Sequence, residues 1–459
     1  IGQSVFAYQS GLKSVDLRCE ELGVYMFKDC INLLGVQIPT TATIIPVGAF
    51  YQCIKLATKH TAGDLIEAGL EAEDFLIYNP KTQEYQPFDY FDRGFSVRGC
   101  GDLEVIDEYA FYNCRFNILD LHNYLADDHS KDSIREIGVH AFLENDDMTD
   151  AFLAASLYII HERAFFGCED LRILDLPIQL REIGDYAFAE CPNLEGSTLG
   201  MDIVEAGPLI LPKHLGTAFP AGSGYEDRNG NGIGRVGVYI FANCPKIKEV
   251  IINGPAIGNY MFYNDSGLET VHANGALEYI NQGAFDHCTS LVKMSYSVYN
   301  EAGDLIKTVN EDNYLYIPET VTRVESYAFN YCNSLQNVVL PEAISTQEGV
   351  DPDTIMGEYV FAYNTKLEYA EVRGNILGKY MFAFDPAFAT IEISNETQII
   401  PDGCFYYCTN LSTMRNPEDD DVVVDQDNIK VTLPSSVTTI GYESFRYCRG
   451  IKRLETPTS

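Results

Sequence analysis

Cysteine and histidine are the residues of this 459-residue chain best suited to chemistry, with 13 of the first and 8 of the second. Thiols can cross-link, hold zinc or act as nucleophiles, and in an exported protein a large set usually means disulfides. Their spacing points elsewhere. Ten of them (Cys30, Cys53, Cys114, Cys168, Cys191, Cys244, Cys288, Cys332, Cys408 and Cys448) fall three residues after a Phe in a recurring motif. Where that slot lacks Cys it holds Gln9, Asn145, Asp265, Asn364 or Asp385. A position shared by Cys, Asn and Asp wants a small side chain that hydrogen-bonds backbone in a turn. Strands stacked ~4.8 Å apart also sit slightly wide of disulfide Cβ geometry. The expectation is reduced, structural thiols. No CxxC pair or Cys/His cluster suggests zinc, and no HExxH, GxSxG, phosphate-loop or paired-carboxylate pattern suggests catalysis. An active site would have to lie in an insertion, and the reading is a non-enzyme.

One stretch, DRNGNGIG (227–234), has oxygen ligands at calcium-loop spacing. Asp227, Asn229 and Asn231 match its first, third and fifth positions, with Gly232 at the turn. The ninth position is Arg235 and the twelfth Val238, so the usual acidic closure is missing. An Asn-Gly turn without metal is the alternative. No other cofactor is expected.

What would position these residues is a repeat. A Phe recurs with an aliphatic residue five positions before it in fifteen places, among them IGQSVF (1–6), LGVYMF (22–27), IDEYAF (106–111), IGDYAF (183–188), VESYAF (324–329) and IGYESF (440–445). After the Phe come the Cys slot, a Leu or Ile, and an alternating stretch such as LKSVDL (12–17), LRILDLP (171–177), IKEVII (247–252) or LQNVVLP (335–341). Alternation over six residues reads as a short strand. The Phe then sits on one helical turn or a tight loop, with a nearby Gly relaxing the backbone. One such coil cannot bury its own apolar face, so neighbours must stack.

The gaps between Phe residues carry a second period. Phe6, Phe27 and Phe50 precede a long gap to Phe111, Phe241, Phe262 and Phe285 one to Phe329, and Phe361, Phe382 and Phe405 one to Phe445. The middle member of each group reads YMF and the third GAF or GCF. This predicts a four-coil super-repeat, with LILPKHLGTAF (209–219) as a degenerate member and about sixteen coils in all. The whole chain, 1–459, is expected to be one solenoid, a monomer, with insertions near 58–104, 196–234, 296–313 and 415–429.

The consensus I-G-x-Y-A-F-x-x-C-x-x-L-x-x-V-x-L-P resembles the BspA-like leucine-rich repeats, found mainly on bacterial surface proteins, notably of Bacteroidetes. The resemblance covers nearly the whole chain. It implies a β-rich α/β solenoid, a right-handed leucine-rich-repeat superhelix. It also implies a cell-surface or secreted adhesion or host-interaction protein that binds a partner. The chain opens inside a repeat, so an export signal and an outer-membrane anchor are expected outside it.

Charge narrows the partner. With 67 acidic against 31 basic residues the net charge is -36, which disfavours nucleic acid and anionic lipid. No apolar run approaches the ~20 residues of a membrane span. The partner that the resemblance implies is a protein or glycan of a host or neighbouring cell. Outward side chains of successive strands should line up in columns. About ten residues beyond each Phe, the central column holds Asp16, Gln37, His60, Asp120, Asp175, Thr198, Ile251, His272, Ser295, Val339, Glu371, Glu392, Arg415 and Glu455. Six acids there suggest a basic or hydroxyl-rich ligand, although charge on an exposed sheet also prevents aggregation. The insertions are the other candidates. Two share the string AGDLI (62–66 and 302–306) and should form hairpins. The first also carries Tyr85, Phe88, Tyr90, Phe91 and Phe95, which form either a small satellite core or a binding patch. A structural spacer with no ligand of its own is the competing reading.

Overall fold

The computed structural model describes residues 2–456, apart from 16, 18–19, 37, 40, 57–75, 80–83, 88–93, 97–101, 122–131, 200–201, 220–233, 276, 301 and 417–429. It falls into two compact units, Ile1–Ile247 and Lys248–Ser459. Each is a stack of coils whose strands pair in parallel.

In the first unit, Ile44–Ile45, Val105–Ile106, Glu136–Ile137, Ile159–Ile160 and Glu182–Ile183 form one ladder. A second joins Gly94–Ser96, Ile118–Asp120, Asp150–Phe152 and Ile173–Asp175. In the second unit the long sheet takes β1 (Glu249–Ile252), β2 (Thr270–Ala273), β3 (Lys293–Tyr299), β5 (Tyr314–Tyr316), β6 (Asn337–Leu340), β7 (Tyr369–Val372), β8 (Thr390–Ile393), β9 (Thr413–Arg415), β10 (Val431–Thr432) and β11 (Leu454–Glu455). β4 (Leu305–Val309) pairs antiparallel with β3, so the 296–313 insertion is the expected hairpin. In the first insertion, Leu76–Asn79 and Glu84–Pro87 likewise pair antiparallel.

The Phe side chains form the core. In unit one, Phe6, Phe27, Phe50, Phe111, Phe142, Phe165, Phe188 and Phe241 stack ring on ring, 4.9 to 5.6 Å apart. In unit two, Phe262, Phe285, Phe329, Phe361, Phe382, Phe405 and Phe445 do the same at 5.2 to 5.9 Å. Burying one such ring contributes about 1.5–3 kcal/mol. Phe188 stacks directly on Phe241. Within the segment 209–219, Leu209–Leu211 is a strand.

The Phe turn is not helical. Around Phe27, the N–H groups of Tyr25, Phe27 and Asp29 donate to Val47, Ala49 and Tyr51 of the next coil. Those of Met26, Lys28 and Cys30 close turns onto Gly23, Tyr25 and Phe27. Every donor of the turn is thus used, alternately along the stack and within the coil. The geometry requires left-handed backbone on both sides of the Phe, and Tyr, Asn, His and Glu adopt it there, as at Tyr25, Asn113, His140 and Glu190. Each such residue costs roughly 1–2 kcal/mol. Ring stacking offsets part of this, as for Tyr327 on Tyr359 at 5.5 Å and Tyr359 on Tyr380 at 4.9 Å.

Glycine replaces these residues where a ring from the preceding coil needs the space. The Tyr of each YMF coil lies over the Gly of the following GAF or GCF coil. A Cβ on Gly283 would stand 2.2 Å from Tyr260 Cε1, and Gly48 and Gly403 face Tyr25 and Tyr380 alike. Gly283→Ala should destabilise the protein by about 1–3 kcal/mol in urea unfolding through overpacking. The overpacking part of that loss should vanish in a Tyr260→Ala background, leaving the left-handed-backbone cost of about 1 kcal/mol. Equal losses in both backgrounds would point to the backbone, not the ring.

The super-repeat has a further consequence. β5 and β10 are strands with no Phe turn of their own. From β3 through β5 to β6 the sheet advances two rungs, ~9.6 Å, while Phe285 and Phe329 lie 5.2 Å apart. The sheet fans open there, and the β3–β4 hairpin springs from the same place.

Candidate binding surface

Register fixes the outward column of the second unit. Ile251 lies opposite His272, His272 opposite Ser295, Val339 opposite Glu371, Glu371 opposite Glu392, and Glu392 opposite Arg415. Because Met294 faces Leu315, Ser295 is followed by Tyr316, which then faces Val339.

These side chains are engaged with one another. His272 bridges Ser295 Oγ through Nδ1 at 2.8 Å and Ser297 Oγ through Nε2 at 3.1 Å, and Ser297 reaches Thr308 of β4 at 3.4 Å. Arg415 Nε donates to Glu392 at 2.8 Å. Arg373 donates to Glu371 at 2.7 Å and to Glu319 at 3.3 Å, and the Tyr296 hydroxyl donates to Glu319 at 3.3 Å. Lys430 pairs with Glu455 at 2.6 Å. Burial, then the adjoining Glu319, pushes the Tyr296 phenol up to about 12. Burial also raises Tyr369, reinforced by Glu392 and Glu371, and raises Tyr316, which hydrogen-bonds Glu311. Tyr314 stacks on Tyr316 at 5.3 Å and meets Tyr369 edge-on at 6.5 Å. The fan in the sheet thus carries three tyrosines among paired charges.

In the first unit the expectation of solvent-facing carboxylates needs correcting. Asp120 is only 5% exposed, since it lies within its sheet opposite Phe152. Asp175 is half-buried and accepts from Thr198 N and Oγ1, both at 2.8 Å. Glu392 is 8% exposed for a like reason, being covered between Glu371 and Arg415. The sheet face is therefore less anionic than its composition suggests, because its acids are held by neighbouring donors. Tyr85 lies on a hairpin strand opposite Tyr78. Asp16, Gln37, His60, Phe88, Tyr90, Phe91 and the calcium-type residues Asp227, Asn229 and Asn231 fall outside the described residues.

Tyr314 and Tyr316, missing from the sequence-derived column, belong to a strand with no Phe anchor to mark it. Their alternation in NYLYIP (313–318) was the available signal. Arg373 sits two residues beyond Glu371 on the same strand face, which a period of two would have paired.

The Cys slot also becomes clear. Cys332 Sγ donates to the Phe285 carbonyl at 3.2 Å, and Cys408 Sγ to that of Phe382 at 2.9 Å. The other slot cysteines do likewise, each to the Phe of the preceding coil, as Cys53 to Phe27 and Cys288 to Phe262. Asn364 Nδ2 donates to Phe329 and Phe361 at 3.0 and 2.7 Å. All described cysteines are free thiols. Burial raises the Cys332 thiol well above its ordinary value and pushes Cys448 up to about 12, which makes these two poor nucleophiles.

Comparison with known proteins agrees with this geometry. The model of the BspA type leucine-rich repeat region matches residues 1–66, 97–208, 229–303, 308–426 and 425–459. A leucine-rich repeat protein of Bacteroides ovatus is 18% identical, with 99% of this chain and 81% of that one covered at a TM-score of 0.46. A leucine-rich cell surface protein of Faecalibacterium prausnitzii is 21% identical, with 78% and 84% covered at 0.39. No curated protein matches. With most of its length accounted for by that repeat, the chain belongs to the BspA-type leucine-rich repeat family.

Proposed function

We propose that this chain is a non-enzymatic recognition module, displayed on the cell surface or secreted, that binds a protein or glycan partner through the outer sheet face and the insertions. Membership of a family of repeat surface proteins supports that setting. No helix among the described residues is long and apolar enough to cross a membrane. The observation that carries the reading is the fan at β3, β5 and β6 together with the adjoining β7. There Tyr314, Tyr316 and Tyr369 cluster beside Glu319, Glu371 and Arg373, and a hairpin projects from the same point. Tyrosine offers large rigid contact area with a polar tip, and Arg–carboxylate pairs orient a polar ligand.

The spacer reading also has an observation behind it. Glu392 with Arg415 and Glu455 with Lys430 neutralise one another, as a face that binds nothing would require. Screening the full chain against arrayed matrix proteins and glycans separates the two. The binding reading predicts a saturable hit that changes little between low and physiological salt, because the sheet's carboxylates are already paired. No hit on either array would leave the spacer.

A further inference from the structure

We propose that the outer edge of β4 is a strand-addition site for an extended segment of a partner protein that alternates apolar and basic residues. This rests on the reading above that the chain binds a partner, and it names the partner's chemistry. Among the described residues β4 pairs with β3 alone, so one row of its N–H and C=O groups has no strand neighbour. Such a row is a template for a further strand. The strand is exposed on both faces: Leu305 is 58% and Ile306 62% accessible, and Tyr299, opposite Leu305, is 43%. These residues add nothing to the core.

The edge is also held ready. At the hairpin tip Asn300 N donates to Asp304 O at 2.9 Å, and Asp304 N donates back to Asn300 Oδ1 at 2.7 Å. On β3, Tyr299 donates to Asn274 at 3.5 Å. Exposed edges are usually blunted by proline, charge or a bulge. β4 has no proline and a single Lys; its pairing with β3 shifts register between Leu305 and Lys307, and the stretch Thr308–Val309 beyond the shift pairs regularly, with an apolar pair at the strand's start. The same string, AGDLI, occurs at 62–66 and 302–306, so the sequence repeats this apolar pair in two insertions.

Charge selects the occupant. Residues 299–313 hold four acids, Glu301, Asp304, Glu311 and Asp312, against Lys307, a net of -3. The whole chain stands at -36, which opposes pairing with a second copy. A basic, extended segment would gain the edge hydrogen bonds, seat its apolar side chains on one face beside Ile306, and meet the acidic flank.

The test uses the full chain and a fluorescent nine-residue peptide of alternating valine and lysine, read by anisotropy. Three further peptides accompany it: valine alternating with glutamate, a scrambled valine–lysine order, and the valine–lysine peptide N-methylated on alternate residues. Saturable binding of the valine–lysine peptide alone, weakened at least tenfold by Ile306→Asp and by Thr308→Pro at unchanged Tm, is the expected result. Should a substitution disturb the hairpin, the N-methylated peptide still decides, since it alters only the edge hydrogen bonds. The proposal is overturned if the N-methylated or scrambled peptide binds as well, which would indicate charge alone, or if no peptide binds. It is also overturned if the parent chain dimerises through this edge and Ile306→Asp abolishes the dimer. If an array partner binds parent and Ile306→Asp equally while the peptide fails, strand addition falls and the binding reading stands.

Discussion

Asp385→Asn should be more stable than the parent at pH 7 and no more stable near pH 4. Asp385 fills the Cys slot of its coil and is fully buried. Its Oδ1 accepts from Asn364 N at 2.6 Å, while Oδ2 has no hydrogen-bond partner. In the neighbouring coils the slot donates to a Phe carbonyl, through a thiol at Cys408 or an amide at Asn364. A carboxylate cannot donate, but a carboxylic acid can. Burial raises the Asp385 acid well above its ordinary range, against a smaller opposing effect of the Asn364 N–H. Burial, and after it the Asp385 carboxylate, in turn raises the Cys408 thiol.

The sign follows from linkage. Between the unfolded pKa, about 3.9, and the higher folded one, the folded state holds a proton that the unfolded state has lost. Stability is full below about pH 4 and falls by about 1.4 kcal/mol per pH unit as pH rises, until the folded pKa is reached. Asparagine keeps the donor and removes the titration. Urea midpoints from pH 4 to 8 should slope downward for the parent and be flatter for the variant. Buried Asp286 shifts the same way, so some slope should remain. Parallel slopes for the two proteins would mean that Asp385 is not the titrating group.

Phe361→Ala should have the largest effect on stability. Its ring is fully buried between Phe329 at 5.3 Å and Phe382 at 5.8 Å. Truncating such a ring costs about 3–5 kcal/mol, transfer and cavity together. Coils touch only their neighbours, so the break should be local. Hydrogen exchange should show lost protection at Phe361, Phe382 and Phe405, whose N–H groups donate along the column, before Phe27 and Phe50 change. Phe6→Ala, at a ring already 41% exposed, should cost much less. Uniform loss of protection would instead mean that each column melts as one cooperative block.

The repeat was legible because its signals are local and recur. Each Phe, each Cys-slot residue and the short strands occur where their spacing placed them. The pairing of YMF with GAF was visible in sequence, although its cause, a Tyr ring lying over a Gly, needed coordinates. Left-handed backbone at Tyr25 or Tyr359 was not legible, because sequence assigns that conformation to Gly. The extra strands Tyr314–Tyr316 and Val431–Thr432 escaped because nothing but two or three alternating residues marks them. The position of Asp120 in its repeat predicts an outward side chain. Its burial depends on neighbours from other coils.

The function proposed for this chain requires that a partner bind at the fan in the second unit's sheet. The decisive measurement is the affinity of the array-identified partner, by surface plasmon resonance, for the parent, Tyr316→Ala and a control, Ile178→Ala, exposed on the first unit. A central aromatic anchor predicts at least tenfold weaker binding for Tyr316→Ala, about 1.4 kcal/mol or more, with the control unchanged. Binding that Tyr316→Ala leaves at the parent's strength would contradict it.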